Sequence, residues 1–174
     1  MRKRIVTLLL SALLPCNLSL AETMMTGAYT EAETYLATTG QNLHFAPSDL
    51  KAATIALAEQ FTQSCGDTFC SGDFSNLHAI EWSCTIRQVD AVLGQCIWIF
   101  AGSYVKIDRV TGALTPVART FVCHLPVTGT VQDLMSFFQK ASVMGDSGHD
   151  GLTQTKLPGS ERTLNEVLLG CLGG

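Results

Sequence analysis

The sequence predicts a single α+β domain in which helices pack against an antiparallel sheet and disulfide bonds hold the elements together. Its 174 residues suffice for one domain. A short and a long helical pattern precede three consecutive strand patterns and two more helical patterns follow, an order typical of α+β folds. Seven cysteines in an otherwise ordinary composition indicate a disulfide framework with one cysteine left over.

The composition excludes several classes of protein. Only 15% of the residues are charged, too few for a disordered chain. Acidic residues outnumber basic ones by 15 to 11, which argues against a nucleic-acid binder. No internal stretch reaches the roughly 18 apolar residues that a membrane-spanning helix needs. We therefore expect neither a nucleic-acid partner nor a transmembrane span.

Residues 1–21 have the pattern of a secretory signal peptide. A basic segment, Arg2 to Arg4, precedes an apolar core from Ile5 to Leu14, and Ser19 to Ala21 forms a small-x-small cleavage site. We expect export to the periplasm. The alternative is a lipoprotein cleaved before Cys16, although Pro15 fits that kind of site poorly.

Cleavage after Ala21 changes both the charge and the cysteine count. The mature domain, residues 22–174, has a core at about 47–141 and a C-terminal loop and helix at 142–174. Its 8 basic residues minus 15 acidic ones give a net charge of about −7. Six cysteines remain, an even set that predicts up to three disulfides: Cys65, Cys70, Cys84, Cys96, Cys123 and Cys171.

The N-terminal half of the mature chain predicts two helices. A short one covers Thr30 to Ala37. A longer one runs from about Asp49 to Gln63, with Ser48 as its N-cap and an apolar stripe at helical spacing. The segment from Cys65 to Leu77 is rich in Gly, Asp, Ser and Asn, which predicts a structured loop.

Three strands are predicted to follow as a meander. Alternation from Ile80 to Ile86 indicates one buried face, and the near-continuous apolar run from Cys96 to Ile107 indicates burial on both faces. The third strand covers about Leu114 to His124. The turns fall at about Val89 to Gly94 and at Arg109 to Ala113, where Gly112 is suited to a positive φ.

The strand register restricts the cysteine pairing. A short loop between the first two strands sets Cys84 opposite Cys96, and the second turn sets Trp98 opposite Cys123. All three cysteines then share the face that carries the aromatic residues. A bridge between Cys84 and Cys96 would join neighbouring strands. Cys123 would then pair either at the helix end near Cys65 or with the C-terminal Cys171.

Two capping boxes predict the C-terminal helices. Thr130 with Asp133 precedes one apolar stripe, and Thr163 with Glu166 precedes a second, shorter one. A helix covers the inner face of the sheet. Between the two helices lies a polar, Gly-rich loop from Ser142 to Ser160, and loops of that length are usually functional or mobile.

No convincing catalytic, metal or cofactor site follows from the sequence. GDSG at 145–148 matches the nucleophile segment of chymotrypsin-like proteases over four common loop residues, in a chain too short for that fold. Ser71 or Ser75 with Asp73 and His78 supplies the residue types of a triad, but turn formation through Asx hydrogen bonds is the favoured explanation of these residues. Neither CxxC pairs nor regular calcium-loop spacing are present. We expect no cofactor, no metal and no enzymatic activity.

The sequence therefore favours a binding surface over a catalytic site. The outer face of the second strand carries Ile97, Ile99, Ala101, Val105 and Ile107, which either a helix or the N-terminal segment covers or a partner protein contacts. The acidic balance favours a basic partner. Two acidic loops, Gly66 to Asn76 and Gly145 to Gly151, are candidates to enter its active-site cleft, and the candidate binding residues are Asp67, Asp73, Phe74, Asp146, His149 and Asp150.

In size, export signal and architecture the chain resembles periplasmic enzyme inhibitors and immunity proteins, which neutralise toxins. We therefore expect an exported inhibitor or immunity protein that occludes a partner's active site. Two alternatives stay open. One is a periplasmic hydrolase with a Ser/His site in the 67–78 loop, and the other is an accessory protein of an envelope secretion system.

Overall fold

The computed structural model describes residues 27–65, 74, 76–141 and 155–173. These residues form a four-stranded antiparallel sheet and four helices, as expected for the α+β class. The sheet order is β1-β2-β3-β4, an uninterrupted meander. Its strands are β1 (Tyr29–Glu31), β2 (His78–Arg87), β3 (Val92–Ile107) and β4 (Leu114–Leu125). The helices are α1 (Ala32–Leu43), α2 (Pro47–Cys65), α3 (Val131–Ala141) and α4 (Leu164–Leu172).

The predicted short helix at Thr30 to Ala37 is wrong at both ends. Residues 29–31 instead form β1, which pairs with the last residues of β2, and α1 continues to Leu43. The helix passes through two threonines because the hydroxyl groups of Thr38 and Thr39 donate to the carbonyl of Tyr35, at 3.0 and 2.7 Å. It ends at His44, which has a left-handed φ of 58°.

The predicted N-cap of α2, Ser48, is also wrong. The helix begins at Pro47, two residues before the predicted start at Asp49, and the fixed φ and missing N–H of proline suit the first helical position. Asp49, at the third helical position, makes the capping contact: its carboxylate accepts a hydrogen bond from the backbone N–H of Ala46 at 2.7 Å.

The strand register agrees with the prediction. Cys84 lies opposite Cys96, Trp98 lies opposite Cys123, and Phe100 lies opposite Phe121. The predicted hairpin turn after β3 is present, and Gly112 has a φ of 73°. The first turn is shorter than predicted, because β3 begins at Val92 rather than near Cys96 and Leu93 pairs with Ile86.

One face of the sheet, the inner face, carries the core. Aromatic rings from the sheet and from the helices meet there: Phe61 of α2 lies 4.7 Å from Phe100, and Phe138 of α3 lies 5.2 Å from Trp82. The prediction that a helix covers the inner face is confirmed by these contacts.

Two disulfides fasten this layer. The predicted cross-strand bridge joins Cys84 to Cys96, with 4.1 Å between the two Cα atoms. The second joins Cys123 of β4 to Cys171 of α4, one of the two predicted alternatives, and fixes the C-terminal helix to the sheet. The pairing of Cys65 and Cys70 lies outside the described residues. The protein therefore has at least two disulfides, and disulfides are typical of proteins in an oxidising compartment.

Candidate functional site

The outer face of the sheet carries a strip of apolar side chains along β3 and β4. Because opposite residues share a face, the pairs Ile99 with Val122 and Ile107 with Leu114 place both strands' apolar residues on one surface. Val122 is 47% exposed, Ile107 63% and Leu114 67%. We call this surface the apolar strip and define it by Ile97, Ile99, Ala101, Val105, Ile107, Leu114 and Val122.

In the described part of the chain, no helix covers the apolar strip. The single hydrophobic core takes its sheet residues from the inner face, among them Cys96, Trp98 and Phe121, and contains no member of the strip. Of the expected alternatives, cover by the helix that follows the sheet is wrong, because α3 contributes Leu134 to the core on the opposite side. The predicted burial of β3 on both faces is wrong for the same reason.

The strip continues onto a two-stranded arm that projects beyond the rest of the sheet. β2 ends its pairing at His78, opposite Ala101. From there to the turn, residues 102–107 of β3 pair only with 114–119 of β4. At about 3.4 Å per residue, this arm extends roughly 20 Å. Val110 at its tip is 94% exposed.

Two residues that precede β2 brace the base of the arm. The Asn76 side chain accepts a hydrogen bond from the backbone N–H of Ser103 at 2.6 Å and donates to its hydroxyl at 2.9 Å. The ring of Phe74 lies edge-on to those of Tyr104 and Phe121, at 5.3 and 5.4 Å. These contacts replace the pairing that β2 no longer supplies.

The arm differs in charge from the rest of the acidic chain. It carries Lys106, Arg109 and Arg119 against one carboxylate, Asp108, a net charge of 3 minus 1, or +2. Asp108 accepts hydrogen bonds from the backbone N–H groups of Thr111 and Val110, and these lower its pKa from the ordinary value. Asp108 therefore stabilises the turn at the tip of the arm.

The arm also carries a stacked cation. The guanidinium of Arg119 lies 4.5 Å from the centre of the Phe121 ring, a cation–π contact on the inner side of the sheet. The stacking restrains the Arg119 side chain, so that its charge is held in place at the base of the arm.

The predicted binding residues fall mostly outside the described part of the chain. Asp67, Asp73, Asp146, His149 and Asp150 lie there, as does the GDSG segment at 145–148. Phe74 is described, and its ring is half-buried in the brace of the arm. Phe74 therefore contacts the arm through its contact with Tyr104.

The residues with potential catalytic or metal-binding chemistry do not form a described cluster. His78 is exposed at the first residue of β2, while Ser71, Asp73 and Ser75 lie outside the described residues. Among the residues whose placement is given, no group of three His, Cys, Asp or Glu side chains could hold a metal ion.

No helix in the described ranges is long and apolar enough to cross a membrane.

The sequence contains a sign of the arm that its interpretation missed. The predicted second and third strands are much longer than the first, so part of their hairpin has no partner strand on the other side. This difference in strand length is the sequence signal of the arm.

Comparison with protein-family models, with curated proteins and with solved structures finds no match to this chain.

Proposed function

We propose that this protein is an exported binding module that docks onto another protein through the apolar strip and its arm, acting as a periplasmic inhibitor or immunity protein. The proposal rests mainly on one observation: apolar side chains, interrupted by Ser103 on β3 and Thr120 on β4, line a sheet face that no described helix covers. Two strands of about 11 residues give this face an area of roughly 350 Å², which is within the size range of functional surface patches.

Rigidity supports this proposal. The Cys84–Cys96 bridge lies on the inner face behind the strip, and Cys123–Cys171 ties β4 to a helix. A surface that is already ordered loses little conformational entropy on binding, so more of the contact energy appears as affinity. The arm adds a narrow projection of a size that can enter a cleft.

The charge distribution supports a partner of a particular charge. The mature chain is acidic overall, which favours association with a basic protein. The cations of the arm, Lys106 and Arg109 among them, would contact carboxylates within that partner's cleft. In this arrangement the arm occludes the active site, and the acidic loops at 66–76 and 145–151 remain the alternative occluding elements.

The experiment is capture of a partner from periplasmic extract, followed by titration of that partner's enzymatic activity. We expect Val122→Glu to weaken the complex at least ten-fold, because a carboxylate would be desolvated in the middle of an apolar interface. Val89→Glu, the same change at an exposed residue of the turn between β2 and β3, outside both the strip and the arm, is the matched control.

The two variants should have the circular dichroism spectrum and melting temperature of the natural protein. Inhibition that is lost in Val122→Glu and retained in Val89→Glu supports the proposal. Equal inhibition by all three proteins, or recovery of no protein that distinguishes them, contradicts it.

A further inference from the structure

A second surface lies on the other side of the molecule, between β2 and α2. It is a groove of about 660 Å³, within the range of ligand-binding cavities. Its sides come from β2 (Ile80 to Trp82) and from one face of α2 (Thr54 to Thr62), and Trp98 contributes to its floor. The groove shares no residue with the apolar strip.

The edge of β2 that borders this groove has, among the described residues, no partner strand over most of its length. β1 pairs only with Thr85 to Arg87. In the described residues, the remaining part, His78 to Cys84, has a partner strand on the β3 side alone. Such an edge presents backbone N–H and C=O groups over about 20 Å, enough for an added strand of about six residues.

The groove side of this edge is apolar. A register shift between Ala79 and Glu81 leaves Ile80 without a partner on β3, and its side chain is 59% exposed. Ile55 of α2 is 49% exposed across the groove, and the half-buried ring of Trp82 lies between them in the lining. Side chains pointing into the groove would therefore be apolar.

The rim of the groove is acidic. Four carboxylates, Glu31, Glu33, Glu59 and Glu81, line it with a single cation, Lys51, which gives 1 minus 4, or −3. None of the four forms an ion pair with another described side chain. Glu81 lies opposite Ile99, so its side chain is on the outer side of the edge.

From this arrangement we infer that the free edge of β2 binds an extended segment of another polypeptide as an added strand, with apolar side chains entering the groove and alternating Lys or Arg side chains on the outer side, where Glu31 and Glu81 lie. Period-two alternation follows from strand geometry, because successive side chains point to opposite sides. The occupant is a basic, apolar peptide segment, and this surface is additional to the one proposed for the partner's docking.

A capped hexapeptide that repeats Lys-Val three times is the probe. Both tryptophans of the protein line the groove, so their fluorescence reports binding there. We expect a saturable fluorescence change that weakens as salt is raised. The Glu-Val hexapeptide should not bind. Equal binding of the two peptides, or no binding of the Lys-Val peptide, overturns the inference.

Two further comparisons separate the charge contacts from the strand pairing. Glu81→Gln and Glu31→Gln should each weaken binding of the Lys-Val peptide by up to about five-fold, the range of exposed ion pairs. Glu161→Gln, equal in charge change and outside the groove, should not. Two versions of the Lys-Val peptide can be made, each N-methylated at one of the two alternating sets of amides. Only one set points toward β2, so one version should bind at least ten-fold more weakly than the unmethylated peptide.

Equal affinity of both N-methylated peptides, or equal effects of Glu81→Gln and Glu161→Gln, would overturn the strand-addition model. Val122→Glu should leave the peptide affinity unchanged, because Val122 is not part of the groove. Failure of the apolar strip as a docking surface and failure of the groove are therefore distinguishable.

Discussion

Gly112 is the residue on which the turn at the tip of the arm depends. Its φ is 73°, a conformation that side chains with a Cβ rarely adopt, yet no atom lies within 4 Å of the Cβ position. The cost of a side chain here is therefore conformational and not a clash. We expect Gly112→Ala to lower the free energy of unfolding by about 1 kcal/mol.

Denaturant unfolding measures this change, and Gly112→Asn is its control. Asparagine tolerates the left-handed region better than alanine does, so it should lose less stability. A Gly112→Ala protein as stable as the natural one would show that the turn adopts another conformation.

The two described disulfides should contribute unequally to stability. Cys123–Cys171 spans 48 residues and Cys84–Cys96 spans 12, and a longer loop restricts the unfolded chain more. On the chain-entropy estimate, replacing both cysteines by alanine costs about 4 kcal/mol for the first bridge and about 3 kcal/mol for the second. The difference between the two double variants is measured by urea unfolding under oxidising conditions. The reverse order would contradict the entropic explanation.

At the scale of elements, both C-terminal helices begin with a capping box that involves an acidic residue. The carboxylate of Asp133 accepts the backbone N–H of Thr130 at 2.8 Å, and that of Glu166 accepts the N–H of Thr163 at 2.7 Å. These hydrogen bonds lower the pKa of each carboxyl below its ordinary value, 3.8 for Asp133 and 4.5 for Glu166. The folded state therefore favours the ionised carboxylates.

The expected consequence is a loss of stability in acid. The contribution of both groups is complete above the ordinary pKa values and is lost as the pH falls through the lowered ones. Urea midpoints should fall between about pH 5 and pH 3. The double variant Asp133→Asn, Glu166→Gln should be less stable at neutral pH and should decline less steeply. A decline as steep as that of the natural protein would assign the acid sensitivity to other groups.

Element positions were predictable where local patterns decide them. Both capping boxes, the strand register and the pairing of Cys84 with Cys96 follow from short-range spacing, and all are present. β1 was missed because three residues form a strand only through their pairing with Arg87 to Thr85, more than 50 residues away. Likewise, Asp49 replaced Ser48 as the capping residue because Pro47 shifted the helix start.

At the scale of the whole molecule, we expect the protein to be exported and its cysteines to be oxidised to disulfides. We expect cleavage after Ala21, a mature chain of 153 residues and a mass lower by about six hydrogens than that of the reduced chain. Intact-mass spectrometry with and without reduction measures all three. Lipid on Cys16 would establish the lipoprotein alternative, and six free thiols in the exported protein would contradict the disulfide framework.

The candidate surfaces were only partly predictable. The apolar residues of the strip, such as Ile97 and Ile107, were recognised from the alternation of β3. Which helix lies on which side of a sheet depends on tertiary packing, so the sequence did not reveal that this face is left uncovered by α3. The groove is harder still to predict, because it combines a strand edge with residues of α2 that are at least 16 positions away.

Photo-crosslinking in cells tests the central proposal most directly. A benzophenone amino acid at Val122 lies in the apolar strip, while one at Leu169, 42% exposed on α4, lies outside it. The proposal predicts one discrete crosslinked partner from position 122 and none from position 169. No adduct from Val105, Ile107 or Val122, or the same adduct from Leu169, would contradict it.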